Sequence, residues 1–69
     1  MKPVSGGRFA RILERHGWRL LRVHGSHHIY GKADEAARLS VPIHGRAMLK
    51  LGLQRPLMKV AGLTEADLD

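Results

Sequence analysis

Apolar positions first recur at helical spacing after Ser5: Phe9, Ile12 and Leu13 fall on one side with His16, while Arg8, Arg11 and Arg15 fall on the other. Residues three and four apart share a helix face, so the pattern predicts an amphipathic helix over 6–16 with a basic outer stripe. Ser5 is placed to cap it and Gly17 to end it. WRLLRV at 18–23, bounded by Gly17 and Gly25, is dense in β-formers and reads as a first strand. A second strand follows over 27–31. Gly25-Ser26 between them, a two-residue loop with glycine first, is the signature of a type II′ hairpin, which sets His24 and His27 opposite each other with their side chains leaving one face. The polar, alanine-rich KADEAAR at 32–38 is expected as an irregular loop or a helical turn. LSVPI at 39–43 alternates and reads as a third strand; Pro42, lacking an N–H, places it at a sheet edge or else sits where its nitrogen faces outward. Leu53, Leu57, Val60 and Ala61 then give a second helix over 53–61, closed by Gly62, with Pro56 in its first turn. Thr64 and Asp67 approximate a capping box for a last short turn.

Helix, three strands and helix make an α+β chain, expected as a single domain over 1–69. A chain of this length buries only about 60% of the surface it exposes when unfolded, so any site must be shallow. Cysteine is absent, which removes disulfides, thiolate metal sites and a cysteine nucleophile, and fits a cytoplasmic chain. No apolar run approaches the roughly 20 residues of a membrane span, and MKPVSGG at the start lacks the apolar middle of a signal peptide, so no membrane partner and no processing are expected. Twelve Lys and Arg against six Asp and Glu give a net charge of +6, with Glu65, Asp67 and Asp69 all at the C-terminal end. An anionic partner is implied: nucleic acid, a membrane surface or an acidic protein. Composition does not choose among them.

Of five histidines, His24, His27 and His28 crowd together. Imidazole suits transition metals, but neighbours on a strand point to opposite faces, so these three cannot converge on one ion without breaking the hairpin. They can be ordinary surface residues. The remaining reading is acid/base chemistry, because histidine both takes and gives a proton near neutrality. RNA carries its own nucleophile, the 2′-hydroxyl, so one histidine beside basic residues can promote strand scission without a metal. Arg22 is placed to neutralise the phosphate. His16, on the apolar side of the first helix, is expected to be partly buried and satisfied. Trp18 and Tyr30 can either stack on bases or belong to the core. LKLGLQRP at 49–56 offers only Lys50 and Arg55 to phosphates, a weak grip for a duplex, so single-stranded RNA or mRNA is the expected substrate.

HGW at 16–18, GSHHIY at 25–30, VPIH at 41–44, and LGL at 51–53 leading to AGL at 61–63 form an ordered set covering nearly the whole chain. This set resembles the HicA-type mRNA interferase toxins, also called YcfA-like proteins. The resemblance implies a double-stranded-RNA-binding-domain-like α-β-β-β-α fold, with a three-stranded antiparallel sheet and two helices packed on one face. It also implies the toxin of a type II toxin–antitoxin pair active in stress response: a metal-independent endoribonuclease that cleaves mRNA, needs no cofactor, and is covered by a HicB-type acidic antitoxin. The family's glycine falls on Gly25 and its catalytic histidine on His27, directly after Ser26, with His28 as runner-up. His24, Arg22, Lys50 and Arg55 are the candidate RNA contacts. Gln54, Pro56 and the KADEAAR segment depart from the family pattern. The alternative is a non-catalytic RNA- or protein-binding module on the same fold.

Overall fold

Helix α1 (Gly6–Arg15) begins where the Ser5 hydroxyl accepts a hydrogen bond from the Arg8 N–H at 3.1 Å. The structure, a computed structural model, describes residues 2–69, so of the expected domain span only Met1 lies outside the described residues. As the spacing predicts, α1 buries Phe9, Ile12 and Leu13 and turns Arg8, Arg11 and Arg15 to solvent. His16 corrects its expectation. At the C-cap the backbone leaves the helical path, so helical periodicity no longer directs the side chain inward; His16 is exposed, its Nε2 3.5 Å from Asp67 Oδ1.

Strands β1 (Arg19–His24), β2 (His27–Lys32) and β3 (Glu35–Pro42) form one antiparallel sheet in the order β1-β2-β3. Gly25 has φ 62° while Ser26 stays out of the left-handed region, as a II′ turn requires and a I′ turn does not. His24 is the register partner of His27. The expected loop over 32–38 is overturned. The chain turns back across Ala33-Asp34, with Asp34 at φ 61°, and Lys32 pairs with Glu35. Burial along β3 alternates strictly from Glu35 onward, but the inward positions there are filled by Glu35 and Ala37, too small or too polar to announce a strand. Arg38 donates to the carbonyls of Glu35 (2.8 Å) and Ala37 (3.1 Å) on this segment. β3 is an edge strand, as Pro42 allows.

Helix α2 (Leu51–Ala61) starts two residues before its expected position, so Pro56 lies mid-helix and not in the first turn. Proline removes the donor to the Gly52 carbonyl; both residues are exposed, where water can take that bond. Gln54 is fully buried and ties down the N-terminal segment: its Nε2 donates to the Lys2 carbonyl at 2.8 Å and its Oε1 accepts from the Val4 N–H at 3.3 Å. That clamp explains a large polar residue at this place. Both helices pack against β3, over a core that includes Phe9, Leu13, Trp18, Tyr30, Leu39, Val41 and Met58. Gly6 is obligatory, because a Cβ there would run into the Pro42 carbonyl where α1 meets the end of β3. A closing 3-10 turn (Glu65–Leu68) is held as the Thr64–Asp67 pattern predicts: the Thr64 N–H donates to Asp67 Oδ2 at 2.7 Å and its hydroxyl at 3.1 Å. Among the described residues no helix is long and apolar enough to cross a membrane.

Candidate active site on the open face of the sheet

Strand periodicity sorts the histidines. Tyr30, Leu39 and Val41 are buried on the face that meets the helices, and antiparallel partners share a face, so His28, paired with Val41, belongs to that covered side. His27 and Ile29 alternate to the opposite, open side, together with their partners His24, Arg22, Ser40 and Pro42. Adjacent histidines thus have different surroundings: His27 is exposed and His28 half-buried. On the open face Ser40 lies diagonally from His27, and its Oγ sits 3.2 Å from His27 Nδ1. A hydroxyl can donate to a bare Nδ1 or accept from a protonated one, so this contact orients the ring in either tautomer and leaves Nε2 as the nitrogen available to a substrate.

Arg22 enters the open face opposite Ile29, one pair removed from the His24–His27 pair, and is exposed. A β-bulge between Leu20 and Arg22 adds Leu21 to this surface, where its Cδ1 leans over Gly31. Gly25 and Ser26 form the turn itself, and the Ser26 carbonyl accepts from the Ile43 N–H at 2.8 Å, tying the hairpin tip to the end of β3. Lys50, the N-cap of α2, and Arg55, within the helix, are exposed. Lys50 does border an open hollow of about 270 Å³ whose wall includes Pro42, His44, Met48 and Leu53. Since Pro42 is also the register partner of His27, hollow and hairpin adjoin through that residue.

Trp18 and Tyr30 are core residues, 2% and 3% exposed, which closes the base-stacking alternative for both. Burial, with Glu14 nearby, pushes the Tyr30 phenol up, so it stays neutral. Lys32 lies over the Trp18 ring with Nζ 5.9 Å from its centre. Among the described residues no group of three His, Cys, Asp or Glu could hold a metal ion. Ser40 is the site residue that sequence reading passes over. Its signal was present in the alternation Leu39-Ser40-Val41, which turns a hydroxyl to the open face between two buried neighbours, but only the register of β3 against β2 aims it at His27.

Fold and site together describe a small α-β-β-β-α domain that displays a histidine hairpin on the uncovered, basic face of a three-stranded sheet. A family model described as the HicA toxin of bacterial toxin–antitoxin systems matches residues 6–63, from the start of α1 to just past α2. The chain belongs to the HicA toxin family. No match was found among curated proteins.

Proposed function

We propose that this toxin is a metal-independent endoribonuclease that cleaves single-stranded mRNA, with His27 as its acid/base and His28 in a supporting, structural position. The observation that carries the reading is the contact of exposed His27 with Ser40 at 3.2 Å, which fixes one ring nitrogen and frees the other. In the reaction the 2′-oxygen forms a bond to the adjacent phosphorus as its proton leaves, and the bond from phosphorus to the 5′-oxygen breaks as that oxygen gains a proton. One fragment ends in a 2′,3′-cyclic phosphate and the other in a 5′-hydroxyl. His27 serves one of the two proton transfers, and Arg22, on the same face, balances the charge developing on the phosphate. Gly25 and Ser26 hold the turn that aims His27, while His24, Lys50 and Arg55 supply further cationic or hydrogen-bonding contacts to the strand. A HicB-type acidic antitoxin opposes this basic surface in the cytoplasm.

The test is single-turnover cleavage of an RNA oligonucleotide with end-group analysis, with and without EDTA. His27→Ala is expected to slow cleavage by about 10²-fold or more, the usual scale for losing a proton-transfer group, with RNA binding retained. His28→Ala costs less. Cleavage that EDTA abolishes, or that survives replacement of the 2′-hydroxyl by hydrogen at the cut, overturns the mechanism. An inactive, folded wild type favours the binding module.

A further inference from the structure

On the strand that the helices leave uncovered, Leu20, Val23 and the outer backbone edge have no task in the chemistry above. Both helices pack against β3, whereas all six residues of β1 are exposed. On the helix side of the sheet β1 carries Leu20, opposite buried Tyr30, and Val23, opposite half-buried His28; these remain 45% and 53% exposed. On the open side it carries Arg19, Arg22 and His24, with the bulged Leu21 among them. Among the described residues its outer backbone edge has no neighbouring strand, since the sheet order places β1 at one end. Val23 follows the hydrogen-bonded His24–His27 pair that closes the hairpin, so its own N–H and C=O point to that open edge. Exposed apolar side chains on both faces, cations on the open one and unmet backbone groups between them describe a template for an added strand.

We propose that the outer edge of β1 docks an extended, acidic segment of a partner protein as a fourth strand, its apolar side chains on Leu20 and Val23 and its carboxylates on Arg19 and Arg22. Charge decides the occupant. A second copy would gather four arginines on one face of a joined sheet, where like charges repel, and would bring together two chains of net charge +6. RNA would answer the arginines but leave Leu20, Val23 and the backbone edge unmet. An acidic strand answers all three. Such a segment ends beside the turn that bears His27, so its presence restricts approach of a long substrate; only this last consequence rests on the proposed cleavage activity, and binding is measured without it.

The probe is a soluble, end-blocked peptide of about ten residues alternating Glu and Val, titrated into the isotope-labelled full chain and followed by amide chemical shifts and hydrogen exchange. Saturable shifts and slowed exchange across 19–24, the Val23 amide included, are expected, with no response to the same peptide carrying Lys for Glu. Arg19→Glu with Arg22→Glu, both at exposed positions, should invert that preference. Leu20→Ser with Val23→Ser should weaken the Glu peptide by about tenfold or more, through lost apolar contact. Shifts confined to α2, unchanged exchange in β1, or equal binding of both peptides overturn the proposal. So does a ten-nucleotide RNA that moves the Leu20 and Val23 methyls as far as the peptide does.

Discussion

The two edge strands of this sheet, β1 and β3, have opposite fates. β3 includes the alanine-rich stretch and ends in a proline, yet it lies beneath both helices and buries Leu39 and Val41. β1 holds Leu20, Leu21 and Val23 within six residues and remains exposed along its whole length. Burial here follows where the two helices sit, and the richer apolar strand is the one that folding leaves unused. Apolar surface that a small domain does not need for its own core is available for contact. The candidate active site lies between these extremes, on the open face, borrowing its histidine from the hairpin and its orienting hydroxyl from β3.

Matched substitutions put the comparison to its hardest test. Val41→Ala empties a fully buried place under the helices and should cost about 2–3 kcal/mol, a large share of the stability of so small a domain. Val23→Ala, the same change on β1, should cost less than about 1 kcal/mol. Equilibrium denaturation of the two variants decides it: equal losses would mean that β1 is packed in solution and that its exposure is no guide to function. Gly25→Ala should fall between them, at about 1 kcal/mol, because φ 62° disfavours any side chain even though nothing lies within 4 Å of the added Cβ. Cleavage should fall further than stability does, since the turn aims His27. Full activity with an unchanged melting temperature would detach the turn from the site.

Much of this division was legible in the chain, and the failures share a cause. The helix α1, the hairpin at Gly25-Ser26, the edge position signalled by Pro42 and the Thr64–Asp67 turn each rest on strong local chemistry, and each is present. The first half of β3 was hidden because Glu35 and Ala37 occupy its inward positions, so alternation carried no hydrophobic contrast. The true start of α2 was hidden because Pro56 reads as a first-turn residue, and tertiary packing overrode that preference. At the site, GSHH at 25–28 marks the histidines, and strand periodicity separates His27 from His28. Ser40 and buried Gln54 depend on contacts between residues 13 and more positions apart, which no local pattern encodes.

Ser40→Ala sharpens the contrast at the site itself, where β3 orients the acid/base and β1 supplies the phosphate's counter-charge. Both groups are exposed, so stability should change by no more than about 0.5 kcal/mol. The rate of RNA cleavage should drop several-fold, and its pH profile should move, because the ring loses the hydroxyl partner that holds its Nδ1. Ser40→Thr keeps the hydroxyl and should restore the profile. Identical profiles for Ser40→Ala and wild type would reduce the contact to a crossing of side chains.

The smallest effect belongs to the helical half, at the far end of the chain. Asp67 accepts from the Thr64 N–H and hydroxyl, and lies 3.5 Å from His16 at the end of α1. The Thr64 backbone hydrogen bond above all, then its hydroxyl and the nearby His16, holds the Asp67 carboxyl below its usual value against a smaller opposing effect of burial. A carboxyl depressed in the folded state binds its proton less readily there than in the unfolded chain, so it adds stability above the ordinary aspartate pKa of about 3.9 and loses that contribution as pH falls through the folded value. Asp67→Asn keeps an acceptor but removes the charge. Its melting temperature should lie below that of wild type at neutral pH, and the gap should close in acid once Asp67 is protonated. A gap of constant size across that range would show that Asn serves less well as the acceptor and that the charge is not what counts; no gap at any pH would show that the Asp67 charge contributes nothing to stability.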